Sequence, residues 1–199
     1  HFIIVIDVKK GFKMFGKKIK LSLISASLLC STLHSADLII NSEVNIPQNF
    51  NELSDSALIT EDGFINYNSG GNTIGIRNDQ PVLSSLNTFV NEGKIHIVST
   101  GGIATGVDIG HNDSTVSNDG EIDVSGYNYA SGIYVNNSTS ASTNNSGLIK
   151  VNSSASWARA IDASSNYGTI NNSGTIIASK NMQRDYDAYS IYINYTSTG

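Results

Sequence analysis

Apolar and polar positions alternate in short runs along most of this chain, and the runs return at a constant interval. In Glu121-Ile-Asp-Val124 the side chains read polar, apolar, polar, apolar, the period-2 signature of a strand with one face buried. Its counterparts are Lys94-Ile-His-Ile97, Leu148-Ile-Lys-Val151 and Thr175-Ile-Ile-Ala178. A glycine precedes each run, at Gly93, Gly120, Gly147 and Gly174, in steps of 27 residues. Asparagines keep the same register at Asn91, Asn118, Asn145 and Asn172, and isoleucines at Ile95, Ile122, Ile149 and Ile176. A second run follows about a dozen residues later: Ala104-Thr-Gly-Val-Asp-Ile109, Ala130-Ser-Gly-Ile-Tyr-Val135, Ala158-Arg-Ala-Ile-Asp-Ala163 and Ala188-Tyr-Ser-Ile-Tyr-Ile193. A third, shorter run (Thr88-Phe-Val90, Ser114-Thr-Val116, Gly168-Thr-Ile170) leads back to the next glycine.

Three short strands per 27-residue unit, with no helical spacing to compete, predict an all-β chain folded as a right-handed parallel β-helix after an N-terminal signal helix. In such a solenoid each position lies over its own copy, one strand spacing of roughly 4.8 Å away. The isoleucines then form a continuous file of core. The asparagines can hand side-chain hydrogen bonds from coil to coil, each stabilising by about 0.5–1.5 kcal/mol. The glycine beside them is expected to supply a positive φ at the corner. The Leu-x-x-Leu-x-Leu pattern of leucine-rich repeats, which have similar lengths, does not occur.

The chain divides into four stretches. Residues 1–13 do not begin with methionine, and the start is expected at Met14, which makes the first stretch an untranslated or non-native leader. Residues 14–36 read as a signal peptide: Lys17, Lys18 and Lys20, the apolar run Leu21–Leu33, then the small residues Ser35 and Ala36. Thirteen residues are too few to cross a bilayer as a helix, which needs about 20. Residues 37–60 are less regular and are placed to cap the first coil, with short strands expected at Leu38–Ile40 and Val44–Ile46 before Pro47. Residues 61–199 carry the repeats, and the end near Gly199 is expected to be a truncation. In the imperfect first repeat, Glu61 is expected to stand where the later repeats have the ladder asparagine.

Composition changes the picture in two ways. Charged residues are 15% of the chain, against roughly 25% in an average globular protein, so the outer surface is one of hydroxyls and amides. Six of the 12 basic residues and one of the 17 acidic ones fall in residues 1–36. The remainder holds six basic and sixteen acidic residues, a net of −10. So acidic a body does not suit nucleic acid or anionic lipid. The single cysteine, Cys30, lies in the signal stretch, so disulfides and thiol chemistry are not expected in the exported part.

A signal peptide followed by Asn-x-Gly-x-Ile-x-Val and Ala-x-Gly-Ile-x-Val repeats resembles the passenger domain of bacterial autotransporters, over roughly residues 17–195. The resemblance implies a β-helical passenger at the cell surface, carried by a C-terminal outer-membrane barrel beyond this sequence. It further implies an adhesive role toward a glycan or protein of a host or neighbouring cell.

Candidate chemistry is sparse. His96 and His111 fall in different repeats, His96 at an outward position, so neither metal nor other cofactor is expected. No Gly-x-Ser-x-Gly motif is present. Stacking the second run gives an outward file of Arg77, Asp108, Tyr134, Asp162 and Tyr192. It leaves a glycan-cleaving enzyme open as an alternative, since paired carboxylates serve glycoside hydrolysis. A toxin-like passenger is a second alternative. The repeat itself points elsewhere. From first-run glycine to second-run small residue the gaps are 13, 12, 13 and 16, whereas the return gaps are 14 or 15. Length variation thus gathers in one loop, and in a solenoid such loops share a face, often the binding one. These loops carry Tyr127, Tyr129, Trp157, Tyr186 and, at the strand edge, Tyr189. Such side chains combine apolar area with a polar tip and suit contact with glycan or protein, or simply packing over the bend.

Overall fold

The computed structural model describes residues 38–49, 56–78, 88–109, 115–136, 142–164, 168–181 and 187–194. The expected leader and signal peptide, His111 and Tyr186 lie outside these residues. Among the described residues every regular element is a strand. The chain passes through three strands and then repeats. The first pass holds β1 (Leu38–Ile40), β2 (Glu43–Val44) and β3 (Gln48–Asn49). The second holds β4 (Ser56–Ile59), β5 (Phe64–Ser69) and β6 (Thr73–Asn78). The next are β7 (Thr88–Asn91), β8 (Lys94–Ser99) and β9 (Ile103–Ile109), then β10 (Thr115–Asn118), β11 (Glu121–Gly126) and β12 (Tyr129–Asn136). The last two are β13 (Ser142–Asn145), β14 (Leu148–Ser153) and β15 (Ala158–Ser164), then β16 (Thr169–Asn172), β17 (Thr175–Lys180) and β18 (Ala188–Asn194).

Every third strand pairs in parallel, giving three six-stranded sheets: A (β1-β4-β7-β10-β13-β16), B (β2-β5-β8-β11-β14-β17) and C (β3-β6-β9-β12-β15-β18). Copies of one position are paired across the coils, as in Ile95, Ile122, Ile149 and Ile176 along sheet B. The molecule is a parallel β-solenoid. Alternation explains its core. Ile65, Ile95, Ile122 and Ile149 are buried on sheet B, facing Ile133 and Ile161 of sheet C and Phe89 and Val116 of sheet A, while Ile176 is partly buried against them. Each fully buried isoleucine stabilises by about 1.5–3 kcal/mol.

The corner between sheets A and B is the most regular part. Asn91 Nδ2 donates to Asn118 Oδ1 at 2.7 Å, Asn118 Nδ2 to Asn145 Oδ1 at 2.7 Å, and Asn145 Nδ2 to Asn172 Oδ1 at 2.6 Å. Asn91, Asn118 and Asn145 are buried, where a polar group without a partner is costly. Two expectations need correction here. The residue paired with Asn91 one coil back is Ile59, not Glu61, because the second pass has four residues in this corner where later passes have two. Ile59 offers no donor, and Asn91 Oδ1 accordingly has no hydrogen-bond partner in the protein. The glycines also act differently from expectation. None of Gly93, Gly120, Gly147 and Gly174 has a positive φ; a Cβ on any of them would overlap the carbonyl oxygen of the glycine one coil back. Close stacking of backbone, rather than handedness of the turn, excludes a side chain.

Candidate functional site

The turns from sheet B to sheet C differ from coil to coil. They span three residues after β5 and β8, two after β11, four after β14 and seven after β17. Asn72, Asn128, Ser156 and Trp157 of these turns, with residues at the start of sheet C, line a shallow groove of about 650 Å³. Strand pairing sets its rows. Ile103 pairs with Tyr129, and Ala130 N donates to Trp157 O at 3.0 Å, so Ile103, Tyr129 and Trp157 form one row along successive coils. A second row runs through Thr105, Ser131, Arg159 and Tyr189, and a third through Arg77, Asp108, Tyr134, Asp162 and Tyr192. The third row is the file expected from the repeat.

Not all of that file faces outward. Asp162 is only 2% exposed, because Arg159 and Tyr129 close over it. Arg159 Nη1 donates to Asp162 Oδ2 at 2.9 Å, and the Tyr129 hydroxyl donates to the same oxygen. Asp162 Oδ1 and Arg159 Nε are buried without a partner in the protein. The Arg159 guanidinium lies 3.5 Å from the ring centre of Tyr192, 5.4 Å from that of Trp157 and 5.6 Å from that of Tyr129. A cation over aromatic faces is stabilised by about 0.5–2 kcal/mol per favourable contact, depending on desolvation.

The electrostatics follow from this packing. Burial, then the charge and hydrogen bond of Asp162, push the Tyr129 phenol far above its ordinary value of 10.0. Tyr134 moves the same way through burial and the charges of Asp162 and Asp108. Burial works to lower the Arg159 value, but the Asp162 hydrogen bond and charge outweigh it and the net shift is upward. Among the described residues, Arg159 and Asp162 are the only charged side chains lining the groove, and they neutralise each other. Asp108 is likewise paired, with Arg77 at 3.2 Å.

The expected aromatic residues therefore separate. Tyr129 and Trp157 line the groove together. Tyr127 is exposed on the adjoining turn but does not line it. Tyr189 is drawn aside: its hydroxyl donates to Asp187 Oδ2 at 2.9 Å and its ring packs on Tyr192, centres 5.3 Å apart. Arg159 was missed as a site residue, although it is the one basic side chain in the second run of the four regular repeats and stands three residues before Asp162. Asn128, Ser156 and Ile103 also line the groove and carry no signal that sets them apart in so Asn- and Ser-rich a chain.

On the opposite side, His96 lies on sheet B with Nδ1 3.9 Å from Asp123, which also accepts from Lys150 Nζ at 3.0 Å. Among the described residues no three His, Cys, Asp or Glu side chains converge as a metal site would need, and no helix is long and apolar enough to cross a membrane. No protein-family model, curated protein or solved structure matches the chain.

Proposed function

We propose that this chain is the passenger part of an exported, autotransporter-like surface protein, and that it adheres to a glycan or protein of a host or neighbouring cell through the groove along sheet C. The observation that carries this reading is the row Ile103, Tyr129 and Trp157, two of whose rings flank the Arg159 guanidinium of the partly buried Arg159–Asp162 pair. Ile103 is 39% and Trp157 38% exposed, so apolar area is offered to solvent on strands hydrogen-bonded from coil to coil. A rigid aromatic anchor loses little conformational freedom on binding, which is what makes such residues effective contact points. The regular alternation, cysteine-free repeats and basic-then-apolar start agree with export.

Adhesion is favoured over catalysis by the state of the carboxylates. Asp108 and Asp162 are each engaged by an arginine, and Asp162 is additionally engaged by Tyr129. The test is attachment of cells displaying the full-length protein. Trp157→Ser is expected to reduce attachment to host cells about tenfold with an unchanged far-ultraviolet spectrum. Undiminished attachment by that variant, correctly displayed, would remove the groove from the account.

A further inference from the structure

The lining of the groove also bears on what occupies it. Among the described residues its only two charges cancel within one partly buried pair, so these residues offer an incoming ligand no net charge. Around it, the chain after residue 36 carries a net of −10, which raises the local potential against any polyanion. What remains is a partly exposed indole, an exposed isoleucine, and amide and hydroxyl groups from Asn128 and Ser156 on the turns. Flat apolar area beside neutral donors and acceptors matches a pyranose ring, with its apolar C–H face and its rim of hydroxyls. The row is also periodic. Ile103, Tyr129 and Trp157 belong to three consecutive coils, each roughly 4.8 Å from the next, so contacts repeat along the solenoid axis rather than converging on a point.

We infer that the groove binds an uncharged oligosaccharide lying along the solenoid axis across these three coils, its sugar faces on the Trp157–Tyr129–Ile103 row and its hydroxyls on Asn128 and Ser156. Arg159 and Asp162 serve as positioning residues: they fix the two rings and do not read ligand charge. This inference rests on the adhesive reading above and narrows it.

The experiment uses the full-length secreted protein and two sets of glycans matched in length from one to six sugars: neutral hexose oligomers, and oligomers containing uronic or sialic acid. Binding is measured by calorimetry at low and at physiological salt, in parallel with cell attachment. The expected result is binding of a neutral series that tightens up to roughly three sugars and then levels. It should be insensitive to salt and weaken about tenfold in Trp157→Ala. Asn128→Ala, on an exposed turn, provides a second variant should the first fail to fold, and it should weaken the same series. Three results would overturn the inference: preference for the acidic series, affinity unaffected by either variant, or no binding of any neutral oligomer. If neutral oligomers fail while Trp157→Ala still abolishes cell attachment, the groove is adhesive but its ligand is a protein, and only the present inference falls. If attachment is also unaffected, the broader reading falls with it.

Discussion

The two turns that flank sheet B obey opposite rules. The A-to-B corner has two residues in each of the last four passes, Asn91–Lys94 through Asn172–Thr175, whereas the B-to-C turn ranges from two residues to seven. The first corner holds a buried amide file and glycines stacked backbone against backbone. Any added atom there meets protein. The second is more exposed: its described residues are tied from coil to coil by backbone hydrogen bonds such as Ala155 N to Tyr127 O, yet it accommodates different lengths. Buried polar groups impose their spacing on the sequence, while open turns are free to carry recognition.

That contrast can be broken most directly by insertion. Two extra residues between Asp119 and Gly120 should cost about 3 kcal/mol or more, since they break the bonds of Asp119 N and Gly120 N to Asn91 O and unstack Gly120 from Gly93. The same insertion between Ser154 and Ala155 should cost less, about 1–2 kcal/mol: it strains the bonds of Ser154 N to Gly126 O and Ala155 N to Tyr127 O, but loop closure itself grows only slowly with length. Urea titration of the two variants measures the difference, and equal midpoints would contradict the account. Next in size is Gly132→Val. The added Cβ would stand 2.5 Å from Ala160 O and 2.6 Å from Ile149 Cγ2, both inside the core; a loss of about 3 kcal/mol is expected in thermal unfolding. Asn118→Leu should cost about 2–3 kcal/mol, because Asn91 Nδ2 and Asn145 Oδ1 each lose a buried partner.

A smaller effect appears with pH. The Tyr129 phenol is raised above 10.0 in the folded state, so its contribution is complete below that value. It is lost as pH climbs further, when the unfolded chain ionises and the folded one does not, by up to about 1.4 kcal/mol per pH unit. Melting curves from about pH 8 to about pH 11 should therefore fall more steeply for the parent than for Tyr129→Phe; parallel slopes would dissociate Tyr129 from Asp162. Smallest of all is Lys150→Ala. It removes a half-exposed ion pair with Asp123 at 3.0 Å and should change stability by less than about 1 kcal/mol.

How much of this was legible in the sequence follows the same division. Asn118, Gly120 and Ile122 announced their places because burial makes each coil repeat the last. The cross-coil partners in sheet C followed from the same period, Arg77 to Tyr192 included. What the period could not supply was the reach of a side chain out of its own row. Arg159 bends to Asp162, Tyr129 arrives from the preceding coil, and Tyr189 turns away to Asp187. Those contacts depend on turn lengths that vary, so no repeat records them. Ile59 under Asn91 escaped for a related reason: the four-residue corner of the second pass shifts the alignment by two.

The amide file has one more consequence. Every carboxamide from Asn91 to Asn145 donates forward along the chain and none donates back. Its bond dipoles therefore add head to tail, giving the solenoid an arrow that its sheets alone would scarcely possess. Each rung holds out a carboxamide donor to the rung that follows, while at the start of the file the acceptor Asn91 Oδ1 is left without a partner in the protein. A file built this way has a grain, and its two ends are chemically unlike.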